Sequence, residues 1–148
     1  MEQGGFQTDR KTTGDLCKAL MRESNIDTYI KKHKGRFIDR SLPKLLTAFY
    51  TDRNISKAEL ARRSKMSVVY LHQLFGGQRK PSRDKLLCLA VGMGLDLWQT
   101  QQLLKEAAFV QLDKTLRRDA VICYGIANHI SLDIINVALL EEKEKTLC

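Results

Sequence analysis

The stretch from Ser56 to Lys85, SKAELARRSKMSVVYLHQLFGGQRKPSRDK, leaves the chain little choice of local structure. Ser56 is placed to accept backbone N–H groups at a helix start. The helix it opens, KAELARRSK, carries Leu60 and Ala61 as its apolar residues. A break follows at Lys65 and Met66, and Ser67 is placed to cap a second helix, VVYLHQLF. In that helix Tyr70, Leu71 and Leu74 share one face, while Val68, Val69, His72 and Gln73 lie on the others. Gly76 and Gly77 end it, because glycine enters left-handed backbone without a Cβ clash. Two helices of about one to two turns, joined by so short a break, must cross steeply, which predicts a helix-turn-helix unit.

The flanking sequence reads as further helices. Ser41 followed by Pro43 marks a start, and Leu42, Leu45, Leu46 and Phe49 then fall at the spacing of a buried stripe. Ser82 caps RDKLLCLAVGM, with Leu86, Leu87, Ala90 and Met93 inward and Gly94 at its end. Asp96 opens the next helix, with Gln99 at capping-box spacing and Leu103, Leu104 and Ala107 on its buried face. Trp98 reads there as a packing residue.

Towards the N-terminus, residues 1–11 are polar and expected to be disordered. Thr12 or Thr13 caps a helix containing Leu16, Ala19 and Leu20, and Asn25 caps another with Ile26, Tyr29 and Ile30 on one face. KKHKGR, Lys31 to Arg36, reads as a solvated basic link, with a basic arm reaching DNA phosphates as the alternative, and His33 within it is given no role. Beyond Asp113 lie two more helices. TLRRDAVICYGIANH is apolar nearly all round from Ala120 to Ala127 and is expected to be deeply buried. Ser131 caps the last helix, where Ile134, Ile135, Ala138 and Leu139 form one stripe, and EEKEK follows as a solvated tail. No segment alternates cleanly at period two, so the fold class is all-α.

One internal repeat aligns without gaps. RDKLLCLAVGMGLDLWQTQQLLKE, Arg83 to Glu106, matches RDAVICYGIANHISLDIINVALLE, Arg118 to Glu141. Arg83, Asp84, Cys88, Leu97, Leu104 and Glu106 meet identical residues, and Leu86, Leu87, Val91 and Leu95 meet Val121, Ile122, Ile126 and Ile130. A duplicated helical hairpin and convergent amphipathic patterning both produce such a match, and the sequence leaves the two open.

The central stretch resembles the Cro/repressor-type helix-turn-helix family, also called the XRE family. The resemblance rests on Ala61, on the apolar set Leu60, Met66, Leu71 and Leu74, on Ser67, and on GGQRKPSRDKLLCLAVGMGL. It covers about Leu42 to Ala107 and departs from the family at two places. Lys65 stands where the turn usually has glycine, and Val68 and Val69 stand where many relatives present polar side chains. The resemblance implies a five-helix repressor-like DNA-binding domain at residues 41–108, with helical additions at 1–40 and 113–145. The last of these is an expected dimer contact or docking place for a protein partner.

Charge points the same way. The net charge is +8, but Arg53 to Lys85 holds nine Lys/Arg and two Asp/Glu, a net +7, whereas Leu86 to Cys148 is at −2. Positive charge concentrated on the helix-turn-helix suits a polyanion. There is no GxSxG, GxxxxGK[ST], HExxH or CxxC, and His33, His72 and His129 are scattered, so neither an enzyme nor a metal or cofactor site is expected. Cys17, Cys88, Cys123 and Cys148 are far apart, which fits reduced thiols in the cytosol. With no run of 18 apolar residues and no signal-peptide core, the expected place is the cytoplasm, at the nucleoid, and not the membrane.

The function expected from these features is a sequence-specific DNA-binding transcriptional regulator, a repressor, acting on double-stranded DNA as a homodimer. It reads the major groove with the helix Ser67 to Phe75. Ser67, Val68, Val69, His72 and Gln73 are the base-reading candidates, with Gln73 suited to adenine and the valines to a thymine methyl. Lys57, Arg62, Arg63, Lys65, Gln78, Arg79 and Lys80 are the phosphate-contacting candidates. The competing class is a protein-interaction adaptor on the same fold, for which the apolar Val68, Val69 and Phe75 would serve.

Overall fold

Ser56, Ser67 and Ser82 each stand one residue ahead of a helix. Their hydroxyls accept the backbone N–H groups of Glu59, Tyr70 and Lys85 at 3.1, 3.0 and 3.2 Å. Asp96 and Gln99 form the full capping box, with N–H···O distances of 2.7 and 3.1 Å. The computed structural model describes residues 13–36 and 41–148, and every regular element among them is helical. In chain order these are α1 (Thr13–Arg22), α2 (Ile26–Lys32), a 3-10 turn (Lys34–Arg36), α3 (Leu42–Thr51), α4 (Lys57–Arg63), α5 (Val68–Gly76), α6 (Arg83–Met93), α7 (Leu97–Glu106), α8 (Arg117–Ala127) and α9 (Leu132–Glu141). The chain divides into two compact units, Met1–Asp39 and Arg40–Cys148.

In the first unit α1 packs on α2. Asn25 caps α2, its Oδ1 accepting from Asp27 and Thr28 N–H at 2.7 and 3.3 Å. Of the expected stripe only Tyr29 is buried, and Ile26 and Ile30 are exposed. KKHKGR is not a plain link: it finishes α2 and turns through the 3-10 segment. His33, given no role from sequence, is buried with its ring 4.4 Å from that of Tyr29 and its Nδ1 3.0 Å from the Tyr29 carbonyl. Thr12 and residues 1–11 lie outside the described residues.

In the second unit α3 packs on α5 and α7, and α4 crosses α5 and α6. Leu46, Leu60, Leu71, Leu74, Leu87 and Leu104 fill the space between them, essentially without solvent exposure. The α4–α6 crossing is close. A Cβ on Gly92 would lie 2.1 Å from the Ser64 hydroxyl and 3.1 Å from the Ser64 backbone nitrogen, so any side chain there would have to displace Ser64. Gly77 and Gly94 end α5 and α6 in left-handed backbone, at φ of 82° and 69°.

The sequence repeat is a structural one. Arg83 and Arg118, 35 residues apart, do the same work in each hairpin. Arg83 Nε donates to Val110 O at 2.8 Å and Nη2 to Gln111 O at 3.4 Å, while Arg118 Nε donates to Lys145 O at 2.8 Å and Nη2 to Thr146 O at 3.1 Å. Each guanidinium also reaches the other hairpin's aspartate. Arg83 meets Asp119 at 3.1 Å, and Arg118 meets Asp84 through two bonds of 3.1 Å. The exchange is reciprocal, and so is the packing of α7 on α8 and α9 on α6; this is the pattern of a two-fold relation within one chain. After each hairpin the chain doubles back through a left-handed residue, Ala108 or Lys143. It then buries one leucine, Leu112 or Leu147, whose N–H is held by Gln101 or Asn136 at 2.8 Å.

Four expectations change. The EEKEK segment is not a free solvated tail, because the chain continuing from it is clamped by Arg118 and anchored by Leu147. Trp98 is 65% exposed, lying off the α7 face that buries Thr100, Leu103 and Leu104. α8 is buried on one side only: Tyr124 is 67% exposed, and on α9 Ile134 is 59% exposed while Ile135 and Leu139 are covered. Ser131 precedes α9, but its side chain makes no capping hydrogen bond.

Two outcomes are expected. Arg118→Ala removes one side of the reciprocal clamp and frees the C-terminal strap. It should cost roughly 1–3 kcal/mol in chemical denaturation, between the limits for exposed and fully buried pairs. Thiol labelling should divide the cysteines into fast Cys17 and Cys148, which are exposed, and slow Cys88 and Cys123, which are buried. Burial pushes the Cys88 thiol up to about 12 and raises that of Cys123 as well, so neither supplies thiolate at neutral pH.

Candidate nucleic-acid interface

The turn between α4 and α5 is built on one residue in left-handed backbone. Lys65 has φ of 57°, and around it Ser64 and Met66 N–H donate to the carbonyls of Leu60 and Ala61 at 2.9 and 3.0 Å. A lysine pays about 1 kcal/mol or more to stand where glycine is at ease. Its ammonium then lies 2.6 Å from the Asp133 carboxylate at the start of α9, a bond that raises the lysine's pKa.

α5 is seated through Leu71 and Leu74, both fully buried. Its other faces carry the base-reading candidates. Val68 and Val69 are 39% and 68% exposed. His72 is exposed and Gln73 half-buried. Ser67 is also exposed, but its hydroxyl is committed to capping.

The phosphate candidates fall into three groups. Arg62 and Arg63 both grip Glu59. Arg62 Nε and Arg63 Nε lie 2.9 and 3.0 Å from its two oxygens, and Arg62 Nη2 makes a further close contact. These bonds hold the Glu59 carboxyl down to about 2. Arg62, Arg63 and Lys65 line a cleft of about 490 Å³ with His129 and Asp133, which turns all three towards the C-terminal hairpin. Lys57 forms the second group. Its ammonium sits 4.9 and 4.3 Å from the ring centres of Tyr50 and Phe75, which meet edge to face. The third group is Gln78, Arg79 and Lys80, exposed just beyond α5. Arg79 lies 5.6 Å from the Tyr70 ring, and neither Arg79 nor Lys80 makes an ion pair with a described residue.

The structure adds Lys44, which sequence reading passed over. It is exposed in the first turn of α3 and free of ion pairs among the described residues. Its neighbour Pro43 lies against Gly77, and Pro43, Gly77, Arg79 and Lys80 line one cleft of about 450 Å³. The available sequence signal was position alone: a lysine beside the proline that starts α3, the helix packed against α5.

Among the described residues no group of three or more His, Cys, Asp or Glu is placed to hold a metal ion, and no helix is long and apolar enough to cross a membrane. No protein-family model, curated protein or solved structure shows a significant match to this chain.

The Glu59 shift has a direct consequence for pH. A carboxyl whose folded pKa lies below its unfolded value of 4.5 stabilises the fold above that value, and the contribution is lost as pH falls through about 2. Wild type should therefore lose melting temperature relative to Glu59→Gln over this window and match its trend at neutral pH. Parallel melting curves across the window would show that Glu59 is not held by the two arginines.

Proposed function

We propose that this chain is a sequence-specific DNA-binding transcriptional regulator that reads the major groove with α5 and works as a homodimer in the cytoplasm, at the nucleoid. Its simplest action is repression by occupying its site. The observation that carries this reading is the exposed first half of α5, with Arg79 lying 5.6 Å from its Tyr70 ring, together with Lys44, Arg79 and Lys80, which make no ion pair among the described residues. The valines suit a thymine methyl, Gln73 suits adenine N6 and N7, and His72 suits a base edge or a nearby phosphate. Phosphate contacts from the edge around the Gly77 turn would fix the register of the helix without reading sequence. Arg62, Arg63 and Lys65 support α4 and its turn and are secondary to this edge. No cofactor enters the scheme.

Val69, two-thirds exposed beside Val68, also favours a second reading, an adaptor that docks a protein on α5. The two separate in fluorescence anisotropy on selected and scrambled duplexes over a salt series. Arg79→Ala and Lys80→Ala should each weaken binding to all DNA and lower the salt slope by about one, while Arg62→Ala leaves the slope nearly unchanged. Gln73→Ala should cost roughly 1–3 kcal/mol on the selected site alone. Val68→Ser and Val69→Ser should shift base preference while non-specific affinity stays. A wild-type protein with no preference for any duplex, and an Arg79 variant indistinguishable from it, would leave the adaptor reading standing.

A further inference from the structure

The second hairpin has an apolar outer face with nothing on it among the described residues. Between α8 and α9 runs a groove of about 500 Å³, lined by Val121, Tyr124, Gly125, Ile134 and Ala138, with Glu141 at one end. Val137 and Leu140 extend the exposed apolar surface of α9. The internal repeat supplies a reference for such a face. The residues 35 positions before Val121, Tyr124, Gly125 and Ala138 are Leu86, Leu89, Ala90 and Leu103. All four are fully covered, on a hairpin where α4 packs on α6 and α3 on α7. Glu106, the counterpart of Glu141, accepts the Ser41 backbone N–H at the start of α3 at 2.7 Å. The Glu141 carboxylate has no such partner among the described residues. The first hairpin therefore shows this face buried and its glutamate spent on a helix N-terminus, while the second shows both vacant.

We infer that a second copy of this chain covers the face, α8 and α9 of one copy lying on α8 and α9 of the other about a two-fold axis. The two ends of the face are complementary under that operation. One end carries Glu141, beside a Glu142 already held by Arg117 at 3.1 Å. The other end carries Ile130 and the N-terminus of α9, where Ser131 makes no capping bond. Asp133 at that end is neutralised by Lys65. An axis running across the helices lays Glu141 of each copy over the open α9 N-terminus of the other, where a carboxylate meets the positive end of the helix dipole. Helices of 11 and 10 residues offer a face about 16 Å long. That is small for a specific interface, so the dimer is reversible, with a dissociation constant on the order of micromolar. The inference rests on the DNA reading only for its purpose, two reading helices on a symmetric site.

The test is sedimentation equilibrium of the full chain without DNA, over a concentration series. Wild type should pass from monomer to dimer. Tyr124→Lys and Ile134→Lys, at exposed positions, should abolish the dimer and keep the wild-type circular dichroism and melting curve. Trp98→Lys, equally exposed but on α7, should leave the dimer intact. Glu141→Gln should weaken it roughly threefold to tenfold, with a shallower salt dependence. A wild type that stays monomeric up to about 1 mM, where even a weak specific interface is populated, overturns the inference. So does a dimer indifferent to both lysine variants, and so does a monomer whose lysine variants lose a different protein partner. A monomer that still prefers one DNA half-site would sink the dimer and keep the DNA reading. A dimer that binds no DNA would do the reverse.

Discussion

Two arginines hold the two C-terminal hairpins, residues 83–148, in one shape. α6, α7, α8 and α9 have 10 or 11 residues each, short for helices that must stand by themselves in water. Arg83 and Arg118 each close two things at once: the strap that follows their own hairpin and the aspartate at the start of the other. Asp119 is nearly fully buried, and its Oδ2 also accepts the Asp113 N–H at 2.9 Å. A charge so placed is tolerable only while its partners stay in position, so the clamp penalises any slippage between the hairpins. α3 and α4 are built on this base, and α5 is seated on them.

The charge of the helix-turn-helix segment is less available than its composition implies. Of its nine cations, Arg62, Arg63, Lys65 and Arg83 are in ion pairs, with Glu59, Asp133 and Asp119. Two of those carboxylates come from outside the segment, which is why a count along the chain overlooks them. An exposed pair of opposite charges has a weak field beyond a Debye length, whereas an unpaired cation steers a polyanion. Of the five other cations, Arg79 and Lys80 are exposed near the Gly77 turn, Arg53 and Lys85 are half-buried, and Lys57 is set back over its two aromatic rings, while Lys44, outside the segment, adds an exposed charge on α3.

What was legible in the sequence was local. Serine, aspartate and glycine act on backbone within a few residues, so the starts of α3 to α7 and the ends of α5 and α6 could be read directly, as could left-handed backbone at Lys65. Periodicity gave the apolar face of each helix but not whether anything lies on it. Tyr124 and Ile134 belong to apolar faces that nothing described covers, and Trp98 stands beside a face that is covered. The residues EEKEK look solvated because the side chains that hold them, Arg117 and Arg118, lie on another helix. The match of Arg83-Asp84 with Arg118-Asp119 was visible, but its reciprocity was not. A repeat in sequence says that two hairpins are alike and carries no information on how they meet. Arg62 and Arg63 were nameable as basic, whereas their direction depends on where α9 begins.

Lys65 is where these levels converge. It closes the turn that sets α5 against α4, in a conformation that costs a side chain energy, and its ammonium is fastened to the first turn of α9. The α4–α5 turn and the outer hairpin are thus joined twice, through α4 on α6 and α6 on α9, and through one exposed ion pair at the turn itself. Packing resists change in all solvents, whereas an exposed pair weakens with salt. Raising ionic strength should therefore loosen the turn before it loosens the core. Its effect on α5 would be local, a change in how firmly the helix is presented, with the clamp at Arg83 and Arg118 intact beneath it. A glycine at position 65 would relieve the backbone strain and sever that link together. The lysine thus has a structural role at a position that favours glycine: it ties the α4–α5 turn to α9, and an exposed pair of this kind recovers only part of the conformational cost.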